Sequence, residues 1–398
     1  MIDLARNSLG RLYVYCKNQN WAGYDPYDAL NSPHFKHLSN KWARIVITQI
    51  FRHLPLDLRY FFKIEKSSNP KALALFIRSL IKLSSIVDSG NYKDELNKIS
   101  DRLLDLKSTE PSNSGMISWG YNFAWQSRAF YCEPYSPNIQ STIMCAHAFY
   151  ELSTCKLFTK ETSQRFKDVC IMANRYILAN LLMYEDEEIA VLAYILNDNT
   201  IIINVQAQAA WSLLRAYLFT GEKRFLDISL KLLRFVERKQ QRDGSWLYGE
   251  AVCQGFIDNF HTGFILEALY ECKAVNNSSV PKETIERGYK FYINHFFNKK
   301  IIVKYFYNSN YPVDSHAIAQ SVITISKLIK YDDQSEFLLN KIINWTLINF
   351  QSKKGYFYYQ KWPYFKNRIS YMRWTQAWMF YALASFLEIK KREKLCVE

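Results

Sequence analysis

Two matched residue pairs in this 398-residue chain have the types needed for acid–base chemistry: Asp258 with His261, and Asp314 with His316. An imidazole exchanges protons near neutral pH, and a positioned carboxylate can also act as acid or base. Two carboxylates flanking a glycosidic bond hydrolyse it, one as acid and one as base. Two histidines can instead take a proton from a sugar carbon and return it, as epimerisation requires. A base with a Tyr or His acid can remove the proton beside a uronate carboxyl group, as a lyase does, with Arg373 pairing the carboxylate. The purely structural use of the same aspartates is as helix N-caps, where Asp is favoured. An Asp followed within three residues by His at two equivalent places speaks for chemistry. No Cys-x-x-Cys or His-x-x-x-His spacing accompanies them, so neither metal nor cofactor is expected.

The equivalence comes from a repeat. Each unit reads as outer helix, glycine-bearing aromatic hairpin, polar helix start and inner helix. Inner helices open near Asn138, Asn204, Asp258, Asp314 and Arg373, about 55 to 65 residues apart. Two helices and a hairpin fill that spacing. Gly115 to Arg128, Leu192 to Ile195, Trp246 to Tyr248, Val303 to Tyr307 and Gly355 to Tyr359 are the predicted aromatic hairpins or strands. Helices are also predicted over 2–18, 39–54, 70–88 and 92–106, making a sixth, degenerate unit. Helical hairpins in series cannot bury their apolar faces alone; stacking does so. The predicted fold is all-α, an (α/α)6 toroid with short aromatic β-hairpins. It forms one domain over 1–398, with degenerate N-terminal helices and a cleft loop over 1–106 and five repeats over 107–390.

In a closed toroid the inner helix starts meet at one end. They carry Asn138, Gln140, Asn204, Gln206, Gln208, Arg373, Trp374 and Gln376 beside the two Asp/His pairs. The hairpins add Trp119, Tyr121, Trp125, Trp246, Tyr248, Tyr356 and Tyr358, suited to stacking on sugar rings or to core packing. The loop 20–33 holds Asp25 and Asp28 and closes the cleft or caps the chain. Asp258, His261, Asp314 and His316 are therefore the candidate catalytic residues. Asp25, Asp28, Trp119, Asn138, Asn204, Gln206, Trp246, Tyr248, Arg373, Trp374 and Gln376 are the candidate substrate binders.

Composition bounds the partners. Net charge is +14, but no Lys/Arg block of nucleic-acid type occurs; an acidic glycan is compatible. No run of eighteen apolar residues occurs, so no transmembrane segment is expected. The eight cysteines sit mostly in apolar helical runs and read as free thiols in a reducing compartment. With no secretory h-region at the start, a cytoplasmic protein is expected.

The overall pattern resembles six-hairpin toroids: unsaturated glucuronyl hydrolases, N-acylglucosamine 2-epimerases, and the toroid domains of polysaccharide lyases and glucuronyl C5-epimerases. More closely, Gly23–Ser32, Trp119–Arg128, Asp258–Gly263 and Met372–Ala382 resemble a bacterial family found with surface-polysaccharide biosynthesis genes. That resemblance implies a carbohydrate-active protein of capsule or exopolysaccharide assembly, acting as hydrolase, lyase or epimerase on a uronate-containing glycan. The alternative is a non-catalytic glycan-binding or assembly protein. Gln240-x-x-x-Gly244-x-Trp246 also resembles the Gln-Trp repeats of terpene cyclases and prenyltransferases, with a weaker copy at Gln351-x-x-x-Gly355-x-Phe357. Their Asp-rich motifs are absent, which counts against that activity.

Overall fold

The structure is a computed structural model that describes residues 1–86, 92–109, 115–128, 130–298 and 303–395, with side chains to residue 391. Residues 87 and 88 of one predicted helix, and Cys396, lie outside the described residues. The helices are α1 (Ile2–Asn18), α2 (Lys41–His53), α3 (Pro70–Ile86), α4 (Lys93–Asp105), α5 (Ile139–Thr154), α6 (Lys160–Leu181), α7 (Ile203–Thr220), α8 (Lys223–Arg238), α9 (Asn259–Val275), α10 (Lys282–His295), α11 (Ser315–Lys327), α12 (Ser335–Phe350) and α13 (Trp378–Leu395). A π-helical turn, Met372–Ala377, leads into α13.

A helix buried on every side must be surrounded. α7 is buried without a break from Ile203 to Leu214, and α3, α5, α9, α11 and α13 are similarly enclosed. These six form the inner ring: each packs on the next, and α13 packs back on α3. The outer helices need only one apolar stripe. α8 buries Phe225, Ile228, Leu232, Leu233 and Val236, whose intervals of three, four, one and three keep them on one face. α1, α4, α6, α8, α10 and α12 pack on α13, α3, α5, α7, α9 and α11. The architecture is an (α/α)6 toroid, as the repeat predicts. α1 and α3 are the outer and inner helices of the sixth unit, and α2 is an addition to it.

The two Gln-x-x-x-Gly copies show how the ring closes. Gln240 Nε2 donates to Gly244 O (3.0 Å) and to Thr284 O (2.9 Å) in α10. Gln351 Nε2 donates to Gly355 O (2.9 Å) and to Ser8 O (3.0 Å) in α1. Each glutamine thus ties its turn to the next outer helix, and the last tie reaches the first helix of the chain. Gly244 and Gly355 have φ of +93° and +96°. A Cβ on either would lie 2.4 Å from Arg287 O or 2.5 Å from Arg11 O. Only glycine permits both the conformation and the approach.

The hairpins are shorter than predicted. β1 (Trp125–Gln126) pairs with β2 (Tyr131–Cys132), and β3 (Leu182–Glu185) with β4 (Ala190–Leu192). β5 (Val313–Asp314), β6 (Gln360–Lys361) and β7 (Lys366–Asn367) form an antiparallel sheet. Trp246–Tyr248, Val303–Tyr307 and Gly355–Tyr359 make isolated bridges or side-chain bonds rather than strands. Side-chain amides take the place of a partner strand. Gln206 accepts from Leu192 N and donates to Leu192 O, both at 2.9 Å. Gln376 does the same at Phe357, both at 2.8 Å.

The end of the barrel away from the inner helix starts carries partly buried ion pairs. Arg78 and Arg215 meet Glu151 at 2.9 and 3.3 Å, and Lys327 meets Glu267 at 2.9 Å and also pairs with Glu271. Among the described residues no helix is long and apolar enough to cross a membrane.

Gly355→Ala is expected to cost about 2–3 kcal/mol, from positive φ plus the clash with α1. Gly221→Ala, where φ is +70° but a Cβ meets open space, should cost only about 1 kcal/mol. Urea midpoints of the two variants check the difference.

Candidate active site

Where the inner helices begin, a cavity of about 620 Å³ opens. All six starts line it: Lys71 from α3, Gln140 from α5, Asn204 from α7, His261 from α9, His316 from α11, and Arg373 and Trp374 from the turn before α13. Tyr27, Tyr121, Trp125, Tyr194, Tyr248 and Phe256 add aromatic walls. α2 crosses the mouth and contributes Thr48, Gln49 and Arg52. Lys41 Nζ donates to Arg128 O (2.5 Å), and Arg44 lies 3.8 Å from the Tyr131 ring centroid, which anchors α2 to the β1–β2 hairpin.

Asp258 serves as cap and partner at once. Its Oδ1 accepts from His261 N (2.9 Å), capping α9, and its Oδ2 accepts from His261 Nδ1 (2.7 Å). The carboxylate is buried, while the imidazole keeps a fifth of its surface exposed on the cavity. In a neutral imidazole, a carboxylate that holds Nδ1–H leaves Nε2 as the acceptor. The Tyr248 and Phe260 rings, 4.4 and 4.2 Å away, hold the imidazole from its sides.

The second pair is built differently. Asp314 Oδ1 accepts from His316 N (2.8 Å), capping α11, but no bond joins its carboxylate to the His316 ring. Asp314 is fully buried outside the cavity lining. It accepts from Gln360 Nε2 (2.7 Å) and from Trp374 Nε1 (3.1 Å). Burial raises its pKa, against those donors. Its contacts hold the Trp374 ring against the cavity. His316 stacks on Phe260 and Trp378, with centroids 4.5 Å away in each case. Burial, then Lys71 and Arg373, keep its pKa well below the usual imidazole range, so it is neutral.

The remaining candidates divide by position. Asn204, Tyr248, Arg373 and Trp374 line the cavity, as do Gln140, Tyr121 and Trp125. Asn138 caps α5 by accepting from Ser141 N (2.8 Å). Trp119 and Trp246 are buried and donate to Leu103 O and Val236 O of outer helices, at 2.8 and 2.9 Å. Gln206 and Gln376 hold backbone, Gln208 accepts from Asn204 Nδ2 (3.3 Å), and Tyr356 and Tyr358 lie outside the lining. Asp25 and Asp28 sit behind the wall. Arg373 Nε and Nη2 donate to the two oxygens of Asp25 at 2.6 and 2.8 Å. The anion expected opposite Arg373 is thus supplied by the chain itself. Asp28 accepts from Arg59 Nε (2.7 Å) and from Asp25 N (2.8 Å); burial raises its pKa to about 6.

Several buried polar atoms on the cavity have no protein partner among the described residues: Gln140 Nε2, Asn204 Oδ1 and both His316 ring nitrogens. Leaving such groups unbonded costs about 1–3 kcal/mol each, and a hydroxyl-rich ligand satisfies them. Sequence reasoning missed Lys71, Arg52 and Phe260. The available signal for Lys71 was a lone cation at the head of the otherwise apolar stretch 70–77.

No protein-family model matches the chain, and no curated protein matches it. Solved structures share its fold. A sugar epimerase from a ruminal bacterium aligns over 83% of this chain and 90% of its own, at 9% identity and a TM-score of 0.64. The GH76 α-mannanase of Bacteroides thetaiotaomicron aligns over 85% and 90%, at 8% identity and 0.58. A glycosyl hydrolase family 88 protein from Bacteroides vulgatus aligns over 85% and 96%, at 10% identity and 0.54. At these identities the likeness shows the toroid alone.

His316 and His147 give stability a pH dependence. Arg215 Nη1 donates to His147 Nδ1 (3.0 Å), so that ring is neutral, and burial, then Arg215, hold its pKa well below normal. The unfolded chain protonates both near pH 6.5 and the folded protein resists. Their contribution is present above pH 6.5 and is lost as pH falls below it. The urea midpoint is expected to drop between pH 7 and pH 5, and to drop less in His316→Gln.

Proposed function

We propose that the protein is a sugar-processing enzyme that moves a proton on carbon, with His261 as the base. Asp258 holds Nδ1–H and leaves Nε2 to take a proton from a carbon beside a carbonyl or carboxyl group. Neutral His316 donates an N–H hydrogen bond to the carbonyl or carboxyl oxygen on which charge collects. Both rings contact Phe260, so one side chain spaces the two imidazoles. Protonated His261 then gives that proton up: to the opposite face of a carbanion that has turned in the cavity, which is epimerisation, or to the oxygen leaving the next carbon, which is a lyase reaction.

The observation that carries this reading is the shortage of carboxylates. Glycoside hydrolysis by the common route needs two carboxyl groups across the bond. Among the described residues only Asp258 lines the cavity as a carboxylate, and it is bound to His261. Asp314 supports Trp374, and Asp25 and Asp28 are paired with arginines behind the wall. Gln140, Asn204, Tyr121, Trp125, Tyr248 and Trp374 suit a sugar ring with its hydroxyls. The motifs at 23–32, 119–128, 258–263 and 372–382 support a place in surface-polysaccharide synthesis.

Proton NMR in D2O tests the chemistry. Wild-type protein with candidate sugars and glycans is expected to wash out a single carbon-bound proton. His261→Ala should abolish the exchange, and Asp258→Asn should slow it by about 10²–10⁴-fold. Release of new reducing ends without exchange favours a hydrolase instead. Saturable glycan binding with neither reaction favours the non-catalytic reading.

A further inference from the structure

The cavity's charges do not balance from within the chain. Arg52, Lys71, Arg128 and Arg373 line it, against the single carboxylate of Asp258. Asp25 neutralises Arg373. Arg52 has Tyr359 Oη (3.4 Å) as a neutral partner.

Arg52 and Arg128, like Lys71, lack a carboxylate partner among the described residues but are less buried, so Lys71 is the enclosed one. It is 4% exposed, and no carboxylate lies within ion-pair distance of it among the described residues. Nζ lies over the Phe264 and Trp378 rings, 5.5 and 5.3 Å from their centroids. Those same two rings contact His316. Lys71 also sits in the first turn of α3, where the positive end of the helix dipole disfavours another positive charge. Burial first, and then Arg373, push its pKa well below the ordinary lysine range, with Asp25 opposing. A lysine is a poor choice for such a place if packing is its only task. An arriving anion supplies the missing partner and makes the charged amine favourable.

We propose that the floor of this cavity is an anion subsite, in which Lys71 pairs the carboxylate or phosphate of an acidic sugar beside His316. The inference rests on the reading of the cavity as a sugar site and adds the charge of the substrate. It moves the anion contact from Arg373, already engaged by Asp25, to an amine with no such partner.

Calorimetric titration tests it with acetate, inorganic phosphate, D-glucose, D-glucuronate and glucose 6-phosphate. Acetate or phosphate should bind wild type and Lys71→Arg, and at least tenfold more weakly Lys71→Met, with Lys71→Gln as the substitute should the methionine variant not fold. At least one charged sugar should bind wild type tenfold or more tightly than D-glucose. Preference for D-glucuronate points to a carboxylate, and preference for glucose 6-phosphate to a phosphate. Anion affinity unchanged in the neutral variants, or D-glucose binding as tightly as both charged sugars, overturns the subsite. Anion binding that depends on Lys71 without any sugar binding keeps the subsite and sinks the sugar reading. Glucose binding without anion binding does the reverse.

Discussion

The structure depends on burying six helices that have no polar side to show. α7 and its counterparts carry apolar residues round their whole circumference, so each needs neighbours left, right and behind. A row of such helices exposes its two ends. A ring does not, and contact between α13 and α3 removes the ends. The bond from Gln351 to Ser8 makes the first outer helix the neighbour of the last turn. Closure therefore recruits residues from both ends of the chain.

Closure also sets where polar chemistry can live. The inner helices share one direction, so their starts gather at one end and their last turns at the other. The far end is filled by paired charges among Arg78, Glu151, Arg215, Glu267 and Lys327. The near end keeps a cavity. Helix starts need caps, and Asn138, Asp258 and Asp314 meet that need with their side chains. Asp258 has a second oxygen to spare and gives it to His261. Asp314 gives its second oxygen to Gln360. The same residue at the same repeat position thus orients an imidazole in one unit and an indole wall in the other.

Much of the toroid was legible in the sequence, because a repeat of apolar helices forces stacking wherever it occurs. The count of units and the polar helix starts needed only local spacing. The sixth unit was harder, since α2 and the loop before it interrupt the pattern between α1 and α3. The strands were overcalled. Aromatic residues suit a β-surface, but Gln206 and Gln376 occupy backbone positions that a further strand would pair.

The site was legible as a set of residue types and not as a set of roles. Sequence alone determined that two Asp/His pairs, several amides and an arginine stand at equivalent helix starts, because helix periodicity and capping preference act over a few residues. Only the tertiary structure decided which of them face a ligand. Asp258 has its His three residues on and Asp314 two, and Gln360, 46 residues further on, takes the second oxygen of Asp314. Arg373 looked free until Asp25, 348 residues away, met its guanidinium. Lys71 drew no notice in the sequence; the closed ring leaves it among Phe264, Trp378 and His316. Partners at such separations follow from how the ring closes, which no local pattern encodes.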